Sequence, residues 1–554
     1  MVDIVNTGKV APRHWRLSGW PIVSVAIATL VITPILAIVW LALFPTENIW
    51  PHLISTTLPR YLANSILMMS LVGLITATVG TGAAWIVVMY RFPGRKIVEW
   101  GLLLPLALPA YIGAYALVDF WEYAGPFQTG MRALFGWNSP VDYWFPEVRS
   151  LGAAVLVIAA SLYPYVYFLA RTAFREQSGS AIEVSRALGC GPWASFWRVG
   201  LPLARPAIVA GSAIVMMETL NDFGAVEFFA VQTLTTGIFT VWLEASNAGG
   251  AAQIACVILI FVLVLVTLEK FSRRKIRFHE TAKQKRDVAP TVLTGSRALI
   301  ALIGCAIPVF FGFVMPISIM ASHALSEPVL WTQPALWQAA LTTVKVSGLA
   351  ALITVAAGVI MVYGARLSNS RIPRLLAPAT TIGYAAPGAV LAIGILIPFA
   401  ALDNRVADTW LALTGTDPGL ILTGTAGAVI LAYSVRFFAI AFGSIDAAFG
   451  RVTPNMGLAA RSLGHTAGSS LWRVHVPIIR GSMATAALLI FVDCVKELPA
   501  TLLLRPFGMD TLATKVYDFA SLEDISGAAP ASLVIVAVSL TAVGIMAFNN
   551  GRSK

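Results

Sequence analysis

The chain reads as a succession of long apolar runs separated by short polar stretches. About 20 apolar residues make one membrane crossing, and on that scale about twelve helices are predicted. They lie near 20–44, 62–90, 98–119, 152–172, 206–230, 252–268, 298–322, 338–364, 376–401, 419–442, 481–503 and 530–548. Pro105, Pro109 and Pro387 fall within these runs; membrane helices tolerate such breaks where neighbours re-satisfy the backbone. The first run is too long for the apolar part of a signal peptide, and no small-residue cleavage pattern follows it. A retained helix is expected there. The expected fold is an all-α polytopic membrane protein.

The polar positions carry a second pattern, written twice. One copy holds Arg186, Leu188, Gly189, Ser195, Trp197, Arg198, Val199, Pro202 and Arg205. The other holds Arg461, Leu463, Gly464, Ser470, Trp472, Arg473, Val474, Pro477 and Arg480. Each stands as far beyond its counterpart as Gly464 stands beyond Gly189, so one offset aligns the copies without a gap. A matched polar loop between membrane helices is a surface for a partner to grip. Between residues 269 and 297 Lys270, Arg273, Arg274, Lys275, Arg277 and Lys283 crowd together without apolar periodicity, as in a solvated linker beside anionic headgroups. Beyond it the six-helix pattern begins again, and Gly73 is expected to map on Gly348 at the same offset. The chain therefore divides into a tail (1–19), a first half of six helices (20–268), the basic linker (269–297), a second half of six (298–548) and a last tail (549–554). An even number of crossings per half requires two parallel repeats, with the pathway between them.

Composition supports lipid as the solvent of most of this chain. It is 58% hydrophobic and 12% charged, with mean hydropathy +0.79, against about 25% charged in soluble domains. The net charge of +11 would suggest nucleic acid in a soluble protein, but its placement says otherwise. Putting the N-terminus inside collects all but eight of the 38 basic residues on one side. The positive-inside rule then makes both termini and both repeated loops cytoplasmic, and no nucleic-acid partner is expected. Cys190, Cys256, Cys305 and Cys494 have no paired spacing, so neither a disulfide framework nor a zinc site follows. The aromatic-rich stretch 120–150, with Trp121, Phe127, Trp137 and Trp144, is expected outside, as an interfacial belt or a platform for an external partner.

Candidate chemistry sits just after each repeated loop. Glu218 and Asp222 are spaced i, i+4, and so are Asp493 and Glu497, placed by the same offset as the loops. Asn221 and Lys496 hold equivalent positions beside them. Each acid pair shares one helix face. Ionised groups at membrane depth usually face a cavity or a partner, so these acids, with Lys496, form a candidate translocation path. Across the pseudo-twofold axis the four carboxylates would give a hard cation a transient all-oxygen path. The other reading leaves them wetted near the outer helix end, with Lys496 neutralising Asp493 or Glu497. Met216 and Met217 read as packing, and the six His are scattered without ligand spacing. No Walker A phosphate loop, nucleophile elbow or HExxH occurs. Transport would draw its energy from a partner or an ion gradient.

The repeated loop resembles the cytoplasmic EAA loop of ABC importer permeases: Glu-Ala-Ala, three residues, Gly, then a spacer ending in Leu-Pro. The first copy keeps Glu183, Gly189, Leu201 and Pro202, with Val184 and Ser185 for the alanines. The second keeps Ala459, Ala460, Gly464 and Pro477, with Leu458 standing where the pattern has its acid. The resemblance covers nearly the whole chain as two fused permease domains and implies the type I ABC importer permease architecture. It assigns Glu183, Arg186, Gly189, Pro202, Ala459, Ala460, Arg461, Gly464 and Pro477 to loops that couple to ATP-binding subunits.

A narrower resemblance, to the fused permeases of ferric-iron importers (the FbpB/SfuB type), rests on residues 218–226, 232–238, 491–506 and 510–514. It implies a periplasmic binding protein outside, an ATP-binding subunit homodimer in the cytoplasm, and a bacterial inner membrane. It also implies transient Fe3+ near Glu218, Asp222, Asp493 and Glu497. ATP and magnesium would sit on the partner, and no cofactor on this chain. Similar permeases import thiamine, polyamines and phosphonates, and these stay open. So does a proton-driven secondary transporter, which explains the topology and membrane acids but not the matched loops. A channel or scaffold predicts no doubled loop either.

Overall fold

The computed structural model describes residues 19–176, 184–185, 187–274, 290–367 and 386–552, with Leu376, Thr380 and Gly383. The first half is carried by α1 (Gly19–Leu43), α2 (Leu58–Met89), α3 (Ala110–Trp121), α4 (Leu151–Glu176), α5 (Leu201–Asn221), the short α6 (Gly224–Phe228) and α7 (Ala248–Arg274). The second is carried by α8 (Gly295–Val309), α9 (Met315–Ser326), α10 (Pro334–Leu367), α11 (Gly388–Thr414), α12 (Ala426–Arg436), α13 (Phe438–Gly450), α14 (Val476–Val495), the short α15 (Pro499–Leu504) and α16 (Ile525–Arg552). Among the described residues ten helices are long and apolar enough to cross a membrane, or twelve if two bent pairs each count as one crossing.

The bent pairs are the crossings expected at 98–119 and 419–442. The first bends by 95° between Ala107 and Ala110, the second by 48° at Phe437. Pro109 explains the first: it withholds an N–H and pushes Leu108 into extended backbone (φ −103°, ψ 118°). The crossings expected at 206–230 and 481–503 also end early, at Asn221 and Val495. Each is followed by a short helix that starts again after a capping acid.

The repeat holds in three dimensions with two registers. Helices α4 and α5 match α12–α13 and α14 at the offset of the loops, whereas α2 matches α10 only after a further shift of three positions. Ser65 Oγ accepts from the Leu234 N–H (3.0 Å), and Thr343 Oγ1 accepts from the Leu512 N–H (2.8 Å). Thr76 and Thr354 each donate to the carbonyl four residues back. Gly73 and Gly348 are therefore not equivalent, contrary to the single offset: Gly73 packs on Met216, and Gly348 faces open space. The extra shift is taken up in the connections that follow and precede these helices, which keeps the helix faces in phase.

Sequence halves and spatial halves differ. Helix α1 packs on α10 and α11 of the second half, as well as on α7. Helix α9 packs on α3 of the first half, as well as on α16. A missing Cβ permits close approach at each: the Pro34 carbonyl of α1 meets Gly394 of α11, and Gly312, in the turn that leads into α9, meets the Ala160 carbonyl of α4. The basic linker also returns to the first half. Thr291–Val292 pairs in parallel with Tyr90–Arg91; residues 275–289 lie outside the described set.

Candidate functional site

Two short capped helices build the central site. Helix α5 stops at Asn221, and the Asp222 carboxylate accepts from the N–H groups of Ala225 and Val226 at 3.1 Å each, starting α6. Helix α14 stops at Val495, and Glu497 accepts from the N–H groups of Ala500 and Thr501 at 3.2 Å each, starting α15. A side-chain oxygen on the first free N–H groups is what a helix start requires. Glu497 takes two further partners, the Thr501 hydroxyl at 3.1 Å and the Arg436 guanidinium at 2.8 Å. Arg436 comes from the last turn of α12, at the bend.

The acids Glu218, Asp222, Asp493 and Glu497 line one cavity with Lys496, Arg436, Asn221, Tyr111 and Tyr165. The cavity holds about 880 Å³ not filled by atoms, its open mouth included. It is lined from both halves, as the parallel repeat requires. The four acids are not alike, however. Asp222 and Glu497 are committed to helix starts, and Asp493 is paired with Lys496 at 2.9 Å. Glu218 makes no hydrogen bond and no ion pair among the described residues; its charged neighbours are Arg436, Asp493, Lys496 and Glu497. Among the described residues no three His, Cys, Asp or Glu side chains converge to hold a metal ion. The four carboxylates thus share a cavity without forming one coordination sphere, because backbone N–H groups and two cations already claim most of their oxygens.

Arg436 is a correction to the charge reading, which counted it among the cytoplasmic residues. It is buried beside the acids. The available signal was an arginine inside the apolar stretch 426–442, where a lone cation implies a buried partner. Tyr111 and Tyr165 carried no such signal. The tyrosine hydroxyl of residue 111 and both polar atoms of Asn221 are buried without a hydrogen-bond partner among the described residues.

The repeated loops fold alike wherever they are described. Gly189 and Gly464 adopt the left-handed backbone (φ +83° and +86°) that ends a helix without a Cβ clash. The N–H of Cys190 reaches back to the Ser185 carbonyl, and that of His465 to the Ala460 carbonyl, the same closing bond twice. Leu188 and Leu463 are 79% and 80% exposed, and Trp197 and Trp472 stand out beside them. Pro202 and Pro477 open α5 and α14 after a wide helical turn at 196–200 and 471–475. Ala460 is buried and Ala459 exposed. Glu183 and Arg186 lie outside the described residues, as does the side chain of Arg461. In the aromatic stretch 120–150, Trp121 packs on Phe127 and stacks with Phe145, while Trp144 stays exposed.

Comparison with known proteins gives the site its context. Residues 69–278 match the family model described as binding-protein-dependent transport system inner membrane component. The chain is 24% identical over 490 residues to the Fe(3+)-transport system permease protein FbpB 2 of Haemophilus influenzae, covering 86% of this chain and 87% of that one. It is 33% identical over 203 residues to the sulfate transport system permease protein CysT of Escherichia coli, covering 35% of this chain and 70% of that one. It is 24% identical over 216 residues to the molybdenum transport system permease protein ModB of Escherichia coli, covering 38% and 91%. The chain belongs to the family of binding-protein-dependent transport system inner membrane components, and is a multi-pass permease of the ABC importer class.

Proposed function

We propose that this permease imports ferric iron handed over by a periplasmic binding protein, with ATP hydrolysed by a pair of subunits docked on the two matched loops. One observation carries the substrate: the Fe(3+)-transport relative is similar across both halves, whereas the sulfate and molybdenum relatives match one. The cavity adds weight, since four carboxylates against Arg436 and Lys496 leave it acidic if all are ionised. With both termini inside, ATP binding closes the partner subunits against the exposed Leu188 and Leu463 and the turns at Gly189 and Gly464. The bundles rock about the pseudo-twofold axis, and the cavity opens alternately to each side. ATP and magnesium belong to the partner subunits.

The two cations lining the cavity, Arg436 and Lys496, favour a second reading, an oxyanion such as sulfate or molybdate. Uptake by cells expressing the permease with its partners separates the two. Radiolabelled ferric iron should accumulate over a strain lacking the permease, and labelled sulfate and molybdate should not. Accumulation of either oxyanion without iron would overturn the ferric reading. Uptake abolished by a protonophore at constant ATP would overturn the ATP-driven one.

A further inference from the structure

At two places in the cavity the second half carries a cation where the first half has a neutral residue. At the offset of the loops, Lys496 corresponds to Asn221 and Arg436 to Ser161. The second half therefore supplies a cation for each of its own acids: Lys496 on Asp493 at 2.9 Å and Arg436 on Glu497 at 2.8 Å. Among the described residues the first half supplies none. Asp222 is used up as a cap, but Glu218 is left without a direct partner, and beside it Asn221 is only 4% exposed with both polar atoms unsatisfied. The Tyr111 hydroxyl, on α3 just past the Pro109 bend, lines the same cavity unsatisfied.

Leaving buried polar groups unpaired costs stability, and native proteins do so rarely and at sites with a purpose. Such groups are satisfied when a ligand arrives. Three oxygens of the first half (a carboxylate, an amide carbonyl and a phenol) form a donor set for a hard multivalent cation. The equivalent ground in the second half is already occupied by an ammonium group. Resting on the ferric reading above, we propose that cargo in transit is contacted on one side only, at a subsite of the first half made by Glu218, Asn221 and Tyr111, while Lys496 acts as the tethered counter-ion of the second half.

The test exploits an opposition of sign. Asn221→Leu replaces an unsatisfied buried amide by a side chain of similar size, so a purely structural residue would tolerate it or gain stability. Ser539→Ala serves as the control, because the Ser539 hydroxyl is also buried and unpartnered but lies in α16, outside the cavity. The permease with its partners is assayed for labelled ferric uptake and for melting temperature in detergent. For Glu218→Gln and Asn221→Leu, uptake falls roughly tenfold, the worth of one contact to a charged group. For Tyr111→Phe it falls roughly threefold. The melting temperature of Asn221→Leu and Tyr111→Phe stays level or rises, and Ser539→Ala transports as the parent does. Parental uptake in Asn221→Leu and Glu218→Gln would overturn the subsite while leaving the ferric reading intact. A parent protein that moves sulfate or molybdate and no iron would overturn both, and that outcome is visible before any variant is made.

Discussion

Beneath the two matched loops the halves solve one packing problem in two ways. In the first half Trp85 packs edge-on against Phe174 and Phe196 at 5.2 and 5.1 Å, and its ring lies over Gly200, which has no side chain to meet it. In the second half the corresponding residues are Tyr363, Phe449, Leu471 and His475. The smaller tyrosine leaves room for a histidine ring 5.3 Å away, and Phe449 lies 5.5 Å from it. A large ring beside no side chain has become a smaller ring beside another. Close-packed interiors keep total volume far more strictly than residue identity. The same trade appears in polar form. Ser185 and Ser195 share a hydrogen bond at 3.0 Å, whereas in the second half Ala460 stands where Ser185 does and the Ser470 hydroxyl is left unpartnered. Equal backbones thus hide different dependencies, and substitution at matched positions should expose them.

The largest difference is expected at the ion pair that only the second half contains. Arg436→Met leaves the Glu497 carboxylate, 2% exposed as a side chain, without its cation, at a cost of about 3–5 kcal/mol. Adding Glu497→Gln should recover most of the loss. Thermal unfolding of the purified protein reads both, and an unshifted Arg436→Met would mean that the pair does not hold α12 to α15. Next in size is Gly200→Ala, which forces a Cβ into the Trp85 ring and should cost about 1–3 kcal/mol. Trp85→Tyr, the residue the second half uses, should relieve part of it; a double-mutant cycle with no coupling would break the volume argument. The smallest effect is a contrast between matched serines. Ser195→Ala removes the bond to Ser185, costing about 1 kcal/mol, while Ser470→Ala removes an unpaired hydroxyl and should be neutral or slightly stabilising. Equal losses at the two sites would contradict the hydrogen-bond assignment.

Much of this was legible in the sequence because lipid imposes simple rules. Long apolar runs gave the helices, and the doubled loop gave the repeat, whose matched glycines Gly189 and Gly464 fold alike. The grouping of Glu218, Asp222, Asp493 and Glu497 in one cavity was legible as well, since i, i+4 spacing and the repeat operate on sequence alone. Three things were not. Helix ends at Asn221 and Val495 depend on acids turning back to cap short helices, which hydropathy does not register. Arg436 was misplaced because counting charges assigns loops to sides and says nothing of a cation with a buried partner. The exchange of α1 and α9 between halves follows from close approaches at Gly394 and Gly312, and contacts so distant in sequence leave no periodic mark.

The proposed permease is driven by ATP and fed by a binding protein. Its most direct test is ATPase activity of the assembled complex in liposomes, with iron-loaded or iron-free ferric-binding protein added on the outer side. Stimulation by the loaded form and not by the iron-free form is predicted. An absence of any associating ATPase would contradict the account at its root, while stimulation only by a sulfate- or molybdate-loaded protein would contradict its substrate.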